Sequence, residues 1–147
     1  MGDFIALSYK PTDVLGDINR TPREAITDFE KALEIFPSHK LAFFEISWST
    51  SDFVNGSNQD QEQFIKSGLT FFEENESQIE FFTISRLFDK PKGSCVSQDI
   101  ENVSGSSFES NSFRLERIDE YICNSGLIDK NENAKPAWAQ LKTNIPQ

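Results

Sequence analysis

The sequence predicts an α/β fold in which parallel strands alternate with helices. Three observations point to it. Three short, nearly continuous apolar runs lie near residues 4–9, 41–48 and 81–88. Amphipathic helical stretches separate them, and helix start signals stand before the first and the last helix. This alternation implies right-handed crossovers and a parallel sheet.

Taken in order, Phe4 to Tyr9 is bounded by Asp3 and by Lys10-Pro11, as suits a strand covered on both faces. Thr21-Pro22-Arg23-Glu24 then combines an N-cap Thr, a Pro at the first helical position and a Glu that completes a capping box. Ala25, Ile26, Phe29, Ala32 and Leu33 form one apolar stripe until Pro37, which stops the helix. The second run, Leu41 to Trp48, is aromatic-rich and is interrupted by a single carboxylate, Glu45. A second helix is expected from about Gln59 to Glu74, weakened slightly by Gly68 at its middle. The third run, Phe81 to Phe88, ends before Asp89 and Pro91. Lys92 to Ser112 is rich in Ser, Gly and Asn and has no period, so a long loop is expected there. A short helix over Phe113 to Cys123 and a closing helix opening at Lys135-Pro136 complete the reading.

Length and apolar content suit one domain spanning residues 1–147. A net charge of −10 without any basic stripe argues against nucleic acid. No window approaches the roughly 18 apolar residues of a membrane span. Two cysteines, Cys95 and Cys123, are too few for a disulfide framework and are not spaced as zinc ligands, although one disulfide is possible. No metal site, cofactor motif or phosphate-cradling loop is expected. Most of the fourteen Phe residues are expected in the core. Asn-x-Ser/Thr sequons at Asn19, Asn55, Asn75 and Asn102 arise readily by chance and say little by themselves. His39 is expected at the surface.

The polar residues at the strand ends are the candidates for chemistry: Tyr9, Glu45, Arg86 and Asp89. A carboxylate between aromatic residues of a strand is uncommon, because burying an unpaired charge is costly. Strict alternation would put Leu41, Phe43 and Glu45 on one face and Ala42, Phe44 and Ile46 on the other, the second set packing on helices. Ser47, just past Glu45, is a candidate substrate contact. Trp48 and Phe88 offer flat apolar faces on which a ligand ring could stack or, alternatively, cap the core. Arg86 and Asp89 would bind hydroxyls or pair with each other.

The runs Ala6-Leu7-Ser8-Tyr9-Lys10-Pro11 and Phe43-Phe44-Glu45-Ile46-Ser47-Trp48, with the closing stretch Gly126-Leu127-Ile128-Asp129…Lys135-Pro136-Ala137-Trp138, resemble the last three units of retaining glycoside hydrolases. These are the eight-stranded β/α-barrel (TIM-barrel) enzymes that include endo-galactanases, cellulases and β-mannanases. The resemblance covers nearly the whole chain and implies its C-terminal (βα)3 part, with Glu45 as nucleophile and the Tyr9 hydroxyl bonded to it. It also implies a polysaccharide or oligosaccharide substrate and an extracellular or periplasmic setting. The Trp platform that many of these enzymes carry on their eighth strand is replaced here by Thr83-Ile84-Ser85-Arg86. Their acid/base Glu, after an Asn on the fourth strand, would belong to the missing N-terminal barrel half. Since retaining hydrolysis uses two carboxyl groups about 5–5.5 Å apart, the isolated chain is expected to be inactive and marginally stable. A non-catalytic carbohydrate-binding module or an unrelated small α/β protein is the alternative.

Overall fold

The computed structural model describes residues 4–96 and 112–144. Strands β1 (Phe4–Tyr9), β2 (Lys40–Ile46) and β3 (Ile79–Ile84) form a parallel sheet in the order β1-β2-β3. Helix α1 (Pro22–Ile35) joins the first two strands and α2 (Asn58–Glu74) the second and third. Helices α3 (Ser112–Cys123) and α4 (Pro136–Asn144) follow. The expected α/β alternation is therefore present. The bulk of the expected loop, residues 97–111, lies outside the described residues.

Local chemistry starts the helices. The capping box is formed at Thr21, whose Oγ1 accepts from Glu24 N while Glu24 Oε2 accepts from Thr21 N at 2.7 Å. Ser57 caps α2 in the same manner, accepting from Asp60 N at 3.0 Å. Such caps each contribute about 1 kcal/mol.

Helices cover one face of the sheet. Phe29 of α1 is 1% exposed and meets Tyr9, Phe43, Phe64, Phe71 and Phe82, with ring centroids 4.7–6.1 Å apart. Burying one such ring contributes about 1.5–3 kcal/mol, so this cluster, rather than any polar network, fixes α1 and α2 on the strands. The mid-helix Gly68 is explained by the same packing: a Cβ there would lie 3.0 Å from Phe82 Cζ. On the opposite face Phe4 and Phe81 meet edge to face at 5.8 Å, while Phe44 is 60% exposed. That face carries no helix among the described residues.

The third strand runs from Ile79 to Ile84, earlier than its expected span near 81–88. Arg86 to Phe88 leave the sheet because the closing segment competes for their carbonyls: Leu127 N and Ile128 N donate to Leu87 O at 3.0 and 2.9 Å. The second strand likewise ends at Ile46, leaving Ser47 and Trp48 just beyond it.

Candidate active site

The geometry around Glu45 is set by a break in strand alternation. Leu7 pairs with Phe43 but Ser8 pairs with Glu45, so Phe44 and Glu45 together oppose one residue of β1. This is a β-bulge, which leaves an extra residue in one strand. Residues in register share a face. Phe43 and Ile46 both lie in the helix-covered core, whereas Glu45 shares the side of exposed Ser8. The expected facing is thereby corrected: Phe43 packs on the helices, Phe44 is exposed, and Glu45 faces away from the helices only because the bulge shifts the phase.

Glu45 is half-buried and accepts a hydrogen bond from Ser85 Oγ at 3.3 Å. Tyr9 takes no part. It is in register with Ile46, which puts it on the face opposite Glu45, and its hydroxyl donates to Asp28 Oδ2 of α1 at 2.8 Å. Burial, then the bond and charge of Asp28, push the Tyr9 phenol well above its ordinary range. The expected Tyr9–Glu45 hydrogen bond is thus replaced by a strand-to-helix contact.

The second tyrosine near this end of β2 is Tyr121, from α3, which belongs to the buried core. Its hydroxyl donates to Ser47 O at 2.7 Å and lies 3.2 Å from Ser47 Oγ. Burial raises its pKa most, the Ser47 bond opposes this, and the Glu45 charge raises it further. Ser47 is itself buried, so it serves to anchor Tyr121. Sequence reasoning missed this residue because it sits in a helix after an aperiodic stretch. Its place four residues after Arg117 and two before Cys123, on the buried side of α3, is the signal that could have found it.

Other expected contacts are rearranged. Trp48 is 1% exposed and packs 5.0 Å from Phe64, so it belongs to the core and offers no sugar platform. Phe88 is 50% exposed and keeps a free face. Arg86 is half-buried and is not bonded to Asp89. Asp89 instead pairs with Lys135 at 2.7 Å, each side chain 8% exposed, and accepts from Gly126 N at 2.8 Å. Lys135 Nζ also donates to Thr50 Oγ1 at 2.9 Å and Asn124 O at 3.1 Å.

The closing stretch is therefore a structural latch. A Cβ at Gly126 would run into the Asp89 and Phe88 backbone, and Leu127 is core. Asp129 accepts from Asn131 N at 2.7 Å and Asn133 N at 2.9 Å, shaping the turn into Lys135. Gln61, buried in α2, fastens the same region by donating to Trp48 O at 2.8 Å and Gly126 O at 3.1 Å. These bonds hold the segments beyond β2 and β3 rigidly behind Glu45.

A cavity of about 250 Å³ opens beside this end of the sheet, lined by Lys10, Thr12 and Asp13 after β1 and by Arg114, Ile118 and Tyr121 of α3. Cys95 and Cys123 form a disulfide with Cα atoms 5.6 Å apart, tying the segment after β3 to the end of α3. Asp119 holds that junction by accepting from Gly93 N, Cys95 N and Val96 N at 2.6, 2.9 and 3.0 Å. In comparisons with known proteins, no protein-family model, curated protein or solved structure matches this chain.

Proposed function

We propose that the chain is the C-terminal (βα)3 part of a TIM-barrel glycoside hydrolase that cleaves O-glycosidic bonds of a polysaccharide or oligosaccharide with retention, Glu45 being the nucleophile. The observation that carries the reading is the position of Glu45: near the C-terminal end of the central strand, on the sheet face that no helix covers among the described residues, with a hydroxyl donor beside it. Polar groups at that end of barrel strands are where this architecture does its chemistry. Parallel sheets are normally covered on both faces, and the missing barrel strands would enclose the side that bears Glu45 and Phe44.

In this reading Glu45 attacks the anomeric carbon to give a glycosyl-enzyme ester, which water then hydrolyses. The Ser85 hydroxyl donates to the carboxylate and orients it. Tyr121, bonded to Ser47 O, fixes the backbone two residues beyond the nucleophile. This reading gives sugar the exposed ring of Phe88, the Arg86 side chain and the space of the 250 Å³ cavity. The acid/base carboxyl group comes from the rest of the barrel.

Activated 2-deoxy-2-fluoro glycosides test this on the protein that carries the chain at its natural length. The expected result is a mass gain of one glycosyl unit, located by digestion on Glu45 and abolished in Glu45→Gln. Turnover with the label on another residue, or sugar binding without labelling that survives Glu45→Gln, would reject the assignment. The second outcome would favour a non-catalytic carbohydrate-binding module.

A further inference from the structure

Ten asparagines occur in the chain, and four of them open an Asn-x-Ser/Thr sequon. Ser and Thr make up 24 of the 147 residues, so chance alone would give about two such matches to the acceptor pattern. The structure separates the three that lie among the described residues. Asn75 is half-buried, and its side-chain amide donates to Phe71 O at 2.8 Å, closing the end of α2. Asn55 is exposed, but sits at φ 60° in a tight turn with its amide 3.5 Å from Ile18 O. Asn19 is exposed on the loop before α1, and its side-chain amide bonds to nothing among the described residues. Its backbone is nevertheless fixed, Asn19 N donating to Pro11 O at 3.0 Å, with buried Ile18 before it.

A second observation, independent of the sequons, concerns compartment. The Cys95–Cys123 bond is formed, Cys123 is fully buried, and both cysteines border the Asp119 junction. Disulfides of this kind form and persist in oxidising compartments, where exported chains also meet glycan-transferring enzymes.

We infer that Asn19 is an N-glycosylation site of an exported, disulfide-bonded protein. The donor is a polyprenyl-pyrophosphate-linked oligosaccharide. Asn19 Nδ2 attacks the anomeric carbon of its first sugar, a C–N bond forms, the C–O bond to pyrophosphate breaks, and the amide proton leaves with the lipid pyrophosphate. Thr21 supplies the sequon hydroxyl during transfer and afterwards serves as the N-cap of α1. Asn19 does not line the 250 Å³ cavity, so a glycan there projects outward. This inference stands whether or not Glu45 is a nucleophile.

The test is a peptide map of the protein purified from its own source, digested without reductant. The expected result is a glycopeptide ending at Arg20 that glycoamidase converts to one carrying Asp at position 19, together with a Cys95–Cys123 cross-linked peptide. Expressed in the same host, Asn19→Gln should lose one glycan with its circular dichroism unchanged, whereas Thr21→Ser, which keeps both the sequon and the cap, should retain it. A bare Asn19 throughout the preparation, including one accompanied by glycan at Asn55 or Asn75, would overturn the assignment.

Discussion

Replacing Lys135 by Met removes the ammonium that lies 2.7 Å from Asp89 and leaves a carboxylate only 8% exposed without its counter-charge. Burial lowers the Lys135 pKa more than the Asp89 bond and charge raise it. Burying the ammonium thus costs more than its partner returns, and the intact pair adds little net stability. The broken pair is a different matter. Losing one partner of a buried pair costs about 3–5 kcal/mol, and the bonds to Thr50 and Asn124 go with it. Against a typical total of about 5–15 kcal/mol, the midpoint of urea unfolding should fall by about a fifth of its value or more. Trp48, buried against Phe64, reports the transition by fluorescence. Adding Asp89→Asn to Lys135→Met discharges the stranded carboxylate while keeping an oxygen for Gly126 N, and should restore about half of the loss, a coupling within the range for residues in contact. A loss below about 1 kcal/mol for the single variant, or a double variant no better than the single, would refute the latch.

Three further outcomes follow from the packing. Breaking the Cys95–Cys123 bond, which spans 28 residues, by the double substitution to Ala should lower stability by about 3.6 kcal/mol on loop entropy, measured by urea unfolding; an unchanged midpoint would show the bond to be energetically idle. Both tyrosines of the chain have pKa values raised above the ordinary 10.0. Their protonated forms are favoured by the fold, so this stability is complete below pH 10 and is lost as pH rises from there toward the folded values. A spectrophotometric titration should accordingly show no phenolate step near pH 10 while circular dichroism remains native. Gly126→Ala pushes a methyl group into the Asp89 and Phe88 backbone and should cost about 1–3 kcal/mol, with Gly93→Ala, whose Cβ would meet nothing within 4 Å, showing no such clash and only the smaller cost of its positive φ.

Much of the fold was legible. The three apolar runs became the three strands in parallel order, and Thr21-Pro22-Arg23-Glu24 opened α1 with both capping bonds in place. Each of these is a local signal, set by neighbours within four residues. The site was less legible, because it depends on which way a residue faces. A period-of-two count is valid only while each residue has one partner, and the doubled opposition at Ser8 breaks that count without a Gly or Pro to announce it. The error therefore fell on Phe43 and Phe44, while Tyr9 was assigned to the wrong side of the sheet. Asp89 and Lys135 are 46 residues apart, and nothing local to either indicates the other. Trp48 was ambiguous for a related reason: an aromatic residue after a strand can cap a core or line a cleft, and the bond from Gln61 to its carbonyl is what ties the adjoining backbone to α2.

The surplus residue in β2 also separates two duties that a regular strand would have to share. Phe43 and Ile46 keep the aromatic interior closed, and the pair between them is released from that work. A chain shortened by Phe44 alone would regain an unbroken two-residue beat, with Phe43 and Ile46 still inward and the acid still outward. The interior would scarcely notice such a deletion, yet the carboxylate would ride on a straighter, less twisted backbone. Where the acid sits is thus governed by main-chain geometry, so it can drift under selection without disturbing what keeps the protein folded.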